Sequence, residues 1–185
     1  MTTTTALIIV AAAIVVGILA WYFYREQRSR RLRSQFGPEY EHAVRRFGGR
    51  PQAEEALAAR QKRVEKIHVH SLSVHEKDRF ADQWHEVQSH FVDDPAGSIR
   101  AADLLVNDVM TARGYPMAEF EHRADDISVD HPQVVRNYRA AHTIALRREK
   151  GQAGTEDLRH ALVYYRDLFD ELLEAHPAGS REVRR

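Results

Sequence analysis

Histidine is the residue whose spacing in this sequence most invites a search for chemistry, because imidazole is a common metal ligand and eleven are present. The run from His85 to His90 is similar to a zinc-protease helix. Its two histidines, however, are five positions apart and fall on different helical faces. Three other pairs lack the further ligands that a metal site needs, namely His68-x-His70, Glu39-x-x-His42 and Glu119-x-x-His122. We therefore predict no metal site and no cofactor.

A second group of polar side chains follows one predicted helix start. His131, Arg136, Tyr138 and His142 come just after or within the signature Asp130-x-Pro132, which is typical of a helix N-terminus. They are the candidate ligand-site residues if the protein has a site built from dispersed polar groups. His142 falls on the same apolar face as Tyr138, so a histidine packed in the core is the competing interpretation.

No motif for catalysis stands out in the sequence. Adjacent carboxylates such as Asp93-Asp94 and Asp125-Asp126 rarely converge on one point, and Asp94 precedes Pro95 as a helix N-cap would. Cysteine is absent, which excludes a thiol nucleophile and thiolate-bound metals. Neither a Walker phosphate loop nor a dinucleotide fingerprint occurs. We therefore predict no catalytic residue and expect binding rather than an enzyme.

The elements that must position these residues carry helical signatures. Ser73-x-x-Glu76 is a capping box in front of an apolar stripe. Thr155 is a predicted cap of the last helix, whose apolar positions recur at the helical period: Leu158, Ala161, Leu162, Tyr165, Leu168, Phe169 and Leu172. No alternating strand pattern of useful length occurs. The sequence therefore predicts an all-α protein with an irregular helical bundle over 73–175 and a disordered tail over 176–185.

Residues 25–72 are predicted to form a basic helical region that ends in a hinge. Phe36-Gly37-Pro38 should break one helix and start a short one that ends near Phe47, and Pro116 should open another short helix with Phe120. A further helix is expected from about Pro51 to Ile67. Its seam, with Ala53, Leu57, Arg60, Val64 and Ile67, fits either packing on its own domain or a weak homodimer through 51–67.

An N-terminal transmembrane helix is predicted over 6–24, behind a short extracytoplasmic N-terminus over 1–5. Ala6 to Tyr24 comprises 19 uncharged residues, or roughly 28 Å of helix, close to the thickness of a bilayer core. The interface positions are aromatic residues followed by arginines: Trp21, Tyr22, Tyr24, Arg25, Arg28, Arg30, Arg31 and Arg33. A cleaved signal peptide would need a basic start and a small-residue cleavage site, so an anchor is the better interpretation.

The charge distribution predicts the orientation and the partners. Arginines on the C-terminal flank place it in the cytoplasm by the positive-inside rule. Residues 1–70 hold 12 Lys/Arg against 6 Asp/Glu, whereas residues 71–175 hold 12 against 20. An acidic domain repels phosphates, so we expect no nucleic acid as partner. We predict a single-pass protein of the bacterial inner membrane with a cytoplasmic domain, whose partners are the lipid bilayer and an unidentified protein.

Several short segments between Arg79 and Leu173 carry a resemblance to known sequences: Phe91-Val-Asp-Asp-Pro95, Arg113-Gly-Tyr-Pro116, Ser128-Val-Asp-His-Pro132, Tyr138-Arg-Ala-Ala-His142, Thr155-Glu-Asp-Leu-Arg159 and Tyr165-Arg-Asp-Leu-Phe169. Together they resemble an uncharacterised family of bacterial single-pass membrane proteins with a C-terminal helical domain. The resemblance implies a helical fold and a bacterial source. No activity is attached to that family, so it implies no site residue.

Two functional hypotheses follow. The first is a membrane-anchored cytoplasmic interaction or scaffold domain. The second is an enzyme or small-ligand-binding bundle with a site of dispersed polar residues. An exposed apolar surface would favour the first, and a concave pocket with inward polar groups from several helices would favour the second.

Overall fold

The protein is all-α, as the sequence predicts. The computed structural model describes the backbone of residues 3–174 and the side chains of residues 11–174. This part of the chain contains eight helices and no strand: α1 Thr3–Phe36, α2 Pro38–Phe47, α3 Arg50–Val64, α4 Val74–Ser89, α5 Pro95–Ala112, α6 Phe120–Asp130, α7 Pro132–Glu149 and α8 Thr155–Glu174. The predicted tail over 176–185 lies outside the described residues.

Local sequence signals account for most of the helix starts. Ser73 and Glu76 form the predicted capping box at the start of α4, and the Asp94 side chain accepts a hydrogen bond of 2.8 Å from the Gly97 amide at the start of α5. The predicted break between α1 and α2 falls at Gly37, whose φ of 47° is strained for a residue with a Cβ. These three predictions are confirmed.

Two predicted helices have different bounds in the structure. The helix expected to run to Ile67 ends at Val64, where the chain turns into a linker that the bundle holds through a hydrogen bond of 3.1 Å from the His70 amide to the Arg113 carbonyl. The helix expected to open at Pro116 begins only at Phe120. The Arg123 guanidinium donates to the Ala118 carbonyl at 2.7 Å and so stabilises a non-helical approach to α6.

The main core lies among α4 to α8. The stripe predicted on α8 is buried, with Leu158, Ala161, Tyr165, Leu168, Phe169 and Leu172 all exposed by 3% or less. Leu162 is the exception, since it is only half-buried at the core edge. Phe169 stacks on Trp84 of α4 with ring centroids 4.8 Å apart. This contact joins the first helix of the bundle, α4, to the last, α8.

A second, smaller core joins the end of α1 to α2 and α3. Its buried residues are Leu32, Phe36, Tyr40, Ala43, Ala53 and Leu57. The α3 seam therefore packs against its own chain, and Arg60 within it is 2% exposed. A homodimer through 51–67 stays a prediction.

The apolar segment predicted to cross a membrane forms the first part of α1. Among the residues available to the search, no helix combines the length and the apolar character that a membrane span requires. The span at 6–24 stays a prediction.

Candidate functional site

A buried ion cluster joins the small core to the main bundle. Arg60 of α3 lies at its centre, with Nη1 donating to Glu39 Oε1 of α2 at 3.0 Å. Its Nη2 lies 2.8 Å from Asp125 Oδ1 of α6, an ion pair whose angle does not make a hydrogen bond. The Arg60 and Glu39 side chains are each 3% exposed. The two opposite charges therefore compensate each other in surroundings that almost exclude water.

Arg139 and Arg46 complete this arginine–carboxylate cluster, which we define as Glu39, Arg46, Arg60, Glu121, Asp125 and Arg139. Arg139 Nη2 of α7 donates to Glu39 at 3.1 Å and to Asp125 at 2.9 Å, while Nη1 binds Glu121. Arg46 of α2 donates to Glu121 at 3.2 Å. Three positive and three negative side chains alternate, so the cluster is electrically balanced.

The pKa shifts of Arg139 and Glu121 favour the charged forms of these two side chains. Burial lowers the pKa of Arg139, but the carboxylates of Glu39 and Glu121 outweigh burial and hold that pKa above its ordinary value. Burial raises the pKa of Glu121, and Arg139 outweighs it in turn, so that pKa falls below the usual range. Because every guanidinium faces a carboxylate, the cluster is suited to fixing helices rather than binding phosphate.

The sequence analysis placed Arg60 in an apolar seam and named Glu39 and Asp125 only within local pairs, Glu39-x-x-His42 and Asp125-Asp126. The carboxylate partners of Arg60 come from α2 and α6, 21 and 65 positions away in the chain, and no local pattern pairs them. A neighbouring ion pair also joins α3 to α6, since Arg63 Nε donates to the buried Asp126 at 2.8 Å. The four elements α2, α3, α6 and α7 are thereby held together by charge.

The predicted ligand residues occupy three separate surroundings. His131 is buried, with Nδ1 2.9 Å from Glu171 Oε1, and Arg136 is exposed. Tyr138 and His142 share a neighbour, since both rings pack against Phe120, at centroid distances of 4.8 Å and 3.6 Å. The structure thus brings together only two of the four.

A polar group of buried atoms surrounds Tyr138. Burial raises its pKa to about 12, and the charge of Asp103 adds to that effect. Burial is also the main cause that raises the pKa of Tyr165, and the charge of Asp103 adds to it. Within the described part of the chain, Asn107 Oδ1 and Arg123 Nε have no hydrogen-bond partner. In this group, polar side chains of α5, α6 and α8 converge in the core: Asp103, Asn107, Arg123 and Tyr165.

We expect His142 to make stability depend on pH. Burial lowers its pKa below 6.5, Asp103 raises it, and Arg123 lowers it further. A lowered pKa in the folded state means that stability is fully present above pH 6.5 and is lost as the pH falls through the folded value. Thermal melts at pH 7 and pH 5 should show this loss. His142→Phe keeps an aromatic ring stacked on Phe120 and should reduce the difference in melting temperature between the two pH values. An unchanged difference would contradict the role of His142 in this pH dependence.

A groove of about 500 Å³ runs between α4 and α5. Its apolar wall comes from Val87, Ala101, Leu104 and Leu105, and Leu104 is 63% exposed. Glu86, Asp94 and Asp108 also line it, whereas no lysine or arginine does. Of the apolar stripe that follows the capping box on α4, Phe80 and Trp84 are buried in the core, whereas Val87 lines this groove.

The predicted interface residues lie along one stretch of α1. Trp21, Tyr22 and Tyr24 are each at least 60% exposed, and the Arg25 guanidinium lies 5.5 Å from the centre of the Trp21 ring. Of the arginines that follow, Arg28, Arg30 and Arg31 are exposed, and Arg33 Nη2 lies 3.5 Å from Glu41. The arginines thus remain at the surface.

The described residues contain no group of three or more His, Cys, Asp or Glu side chains arranged to hold a metal ion. Comparison of the chain with protein-family models, with curated proteins and with solved structures found no match.

Proposed function

We propose that the protein is a membrane-anchored interaction or scaffold domain, with α1 as the anchor and the bundle as the protein-binding part. The observation that carries the proposal is the surface of α1. The large apolar side chains between Ile14 and Tyr24 are 51% to 69% exposed, on every face of the helix. Exposing a continuous apolar surface to water is unfavourable, and the hydrocarbon of a lipid bilayer is an environment in which a single apolar helix is stable.

The proposed orientation places the bundle in the cytoplasm of a bacterial cell, at the inner membrane. Aromatic rings at residues 21–24 favour the headgroup level, and the arginines at 25–33 favour the cytoplasmic side. These arginines would also meet anionic headgroups, each worth on the order of 1 kcal/mol.

The connection between anchor and bundle supports a scaffold with a defined geometry. Helix α1 continues without a break from its apolar part to Leu32 and Phe36, which are buried in the small core. The arginine–carboxylate cluster then joins α2 and α3 to α6 and α7. A bundle held in this way keeps its orientation relative to the anchor, so a bound partner would be positioned relative to the membrane.

The charge of the bundle supports a protein as its partner. Residues 71–175 carry an excess of eight acidic side chains, which repels nucleic acid and anionic lipid. The α4–α5 groove supplies an apolar surface on this acidic domain. Apolar contact framed by charge is typical of protein interfaces.

A small-ligand-binding bundle is the second candidate function. It rests on the buried polar group of Asp103, Asn107, Arg123 and Tyr165, in which Asn107 Oδ1 and Arg123 Nε lack hydrogen-bond partners among the described residues. Such atoms are costly to bury and would gain by hydrogen-bonding a ligand.

We expect the intact protein to sediment with membranes and to resist an alkaline carbonate wash. Replacing both Val15 and Leu19 by arginine should release it, since each arginine costs roughly 3 kcal/mol at the centre of a span. The control is Val163→Arg, at a side chain of α8 that is 52% exposed. Parent protein that washes off, or a double variant that stays bound, would contradict the anchor.

A reporter that is active only outside the cytoplasm, fused after Arg185, tests the orientation. We expect no activity from it and full activity from a cytoplasmic reporter at the same position. The reverse pattern would overturn the proposed topology.

A further inference from the structure

We propose that the α4–α5 groove binds a cationic amphipathic helix of a partner protein. The inference rests on the proposed function, because it names the chemistry of the partner that the bundle would bind. It is carried by the shape of the groove and by the sign of the charges around it.

The shape of the groove fits a helix. Its lining residues follow α5 from Asp94 to Asp108 and follow α4 from Gln83 to His90. Fourteen positions of α5 correspond to about 21 Å at 1.5 Å per residue, which is the length of roughly four turns of an occupying helix. An amphipathic helix of that length presents apolar side chains at positions i, i+3 or i+4, and i+7 to such a groove.

The groove has an apolar floor and one exposed apolar edge. Val87 and Leu105 are 9% and 5% exposed and form the floor, whereas Leu104 at the edge is 63% exposed. Ser98, in the same wall, is 3% exposed, and its Oγ has no hydrogen-bond partner among the described residues. An occupant of the groove would bury the exposed side chain of Leu104.

The charge around the groove selects a cationic occupant. Glu86, Asp94 and Asp108 line it without any lysine or arginine. The segment Val74–Ala112 that forms both walls carries eight acidic side chains against three basic ones. A helix with lysines beside its apolar face would meet carboxylates at both ends of the groove, whereas an acidic helix would be repelled.

The test uses the full-length protein in nanodiscs of uncharged phosphatidylcholine. The probe is a fluorescent 18-residue peptide with leucines at helical spacing and lysines beside them. Its matched control carries glutamates in place of the lysines. Anisotropy is measured after subtraction of binding to empty nanodiscs. We expect the lysine peptide to bind at least about tenfold more tightly than the glutamate peptide, with an affinity that falls as salt rises.

Two variants locate the binding. Leu104→Arg removes the exposed apolar edge and adds a repelling charge, so it should weaken binding by about tenfold or more. Leu146→Arg makes the same change at a residue of α7 that is 44% exposed and does not line the groove, and it should leave binding unchanged. Circular dichroism should match the parent for both, because neither side chain is buried.

Equal binding to the parent and to Leu104→Arg would overturn the inference, as would equal binding of the two peptides or no binding of either. A dimer in light scattering that Leu104→Arg abolishes would also overturn it, because the occupant would then be a second copy of this chain. Membrane sedimentation is measured separately. Loss of anchoring with peptide binding intact would count against the proposed anchor and not against the groove.

Discussion

Replacing Phe169 by aspartate is expected to unfold the bundle. Phe169 is 2% exposed and stacks on Trp84, so the variant loses an aromatic contact and buries an unpaired carboxylate. Removal of a buried phenylalanine alone costs about 3–5 kcal/mol, and burying the charge adds to this. A typical domain has about 5–15 kcal/mol of stability in total. Circular dichroism during heating of the detergent-solubilised protein should show most of the cooperative transition lost.

Leu162→Asp is the matched comparison on the same helix. The sequence pattern treats Leu162 and Phe169 alike, but the structure leaves Leu162 half-buried, where its new carboxylate can reach water. We therefore expect a smaller loss, of about 1–2 kcal/mol. A Phe169→Asp variant that melts with the parent would mean that the α8 stripe is not core.

The second large effect is expected from Arg60→Met, which keeps much of the side-chain volume and removes the charge. Glu39 and Asp125 then lose their central partner while Glu39 stays buried. Breaking a buried pair by removing one member costs about 3–5 kcal/mol, because a charge remains uncompensated. Since the cluster lies between α2–α3 and α6–α7, the variant should have a lower melting temperature than the parent. Its linker 65–73 should also be cleaved more readily by protease.

Arg159→Met is the control for this change. Arg159 pairs with Glu156 at 3.5 Å, but both side chains are about two-thirds exposed, and such a pair contributes little. Its melting and proteolysis should match the parent. If Arg60→Met behaved like Arg159→Met, the arginine–carboxylate cluster would not be what joins α2 and α3 to α6 and α7.

The sequence by itself determined the local elements of this protein. Helix α4 begins at its capping box, α5 begins behind Asp94, and α1 ends before Gly37. All three depend on contacts within about four positions of the chain. The burial of the α8 stripe was also predictable, because one apolar face of a regular helix must pack against something. The all-α class followed from these signals together.

Only the tertiary structure decided which helices meet and what lies between them. Glu39 and Arg139 are 100 positions apart, yet they share a partly buried hydrogen bond, and no periodic pattern links them. The start of α6 was misplaced for a related reason, since the Arg123 side chain competes for the Ala118 carbonyl. The groove arises in the same way, from the spacing of α4 and α5. Local signals act over a few residues along the chain, whereas packing and charge compensation act across space, and only the folded chain brings those partners together.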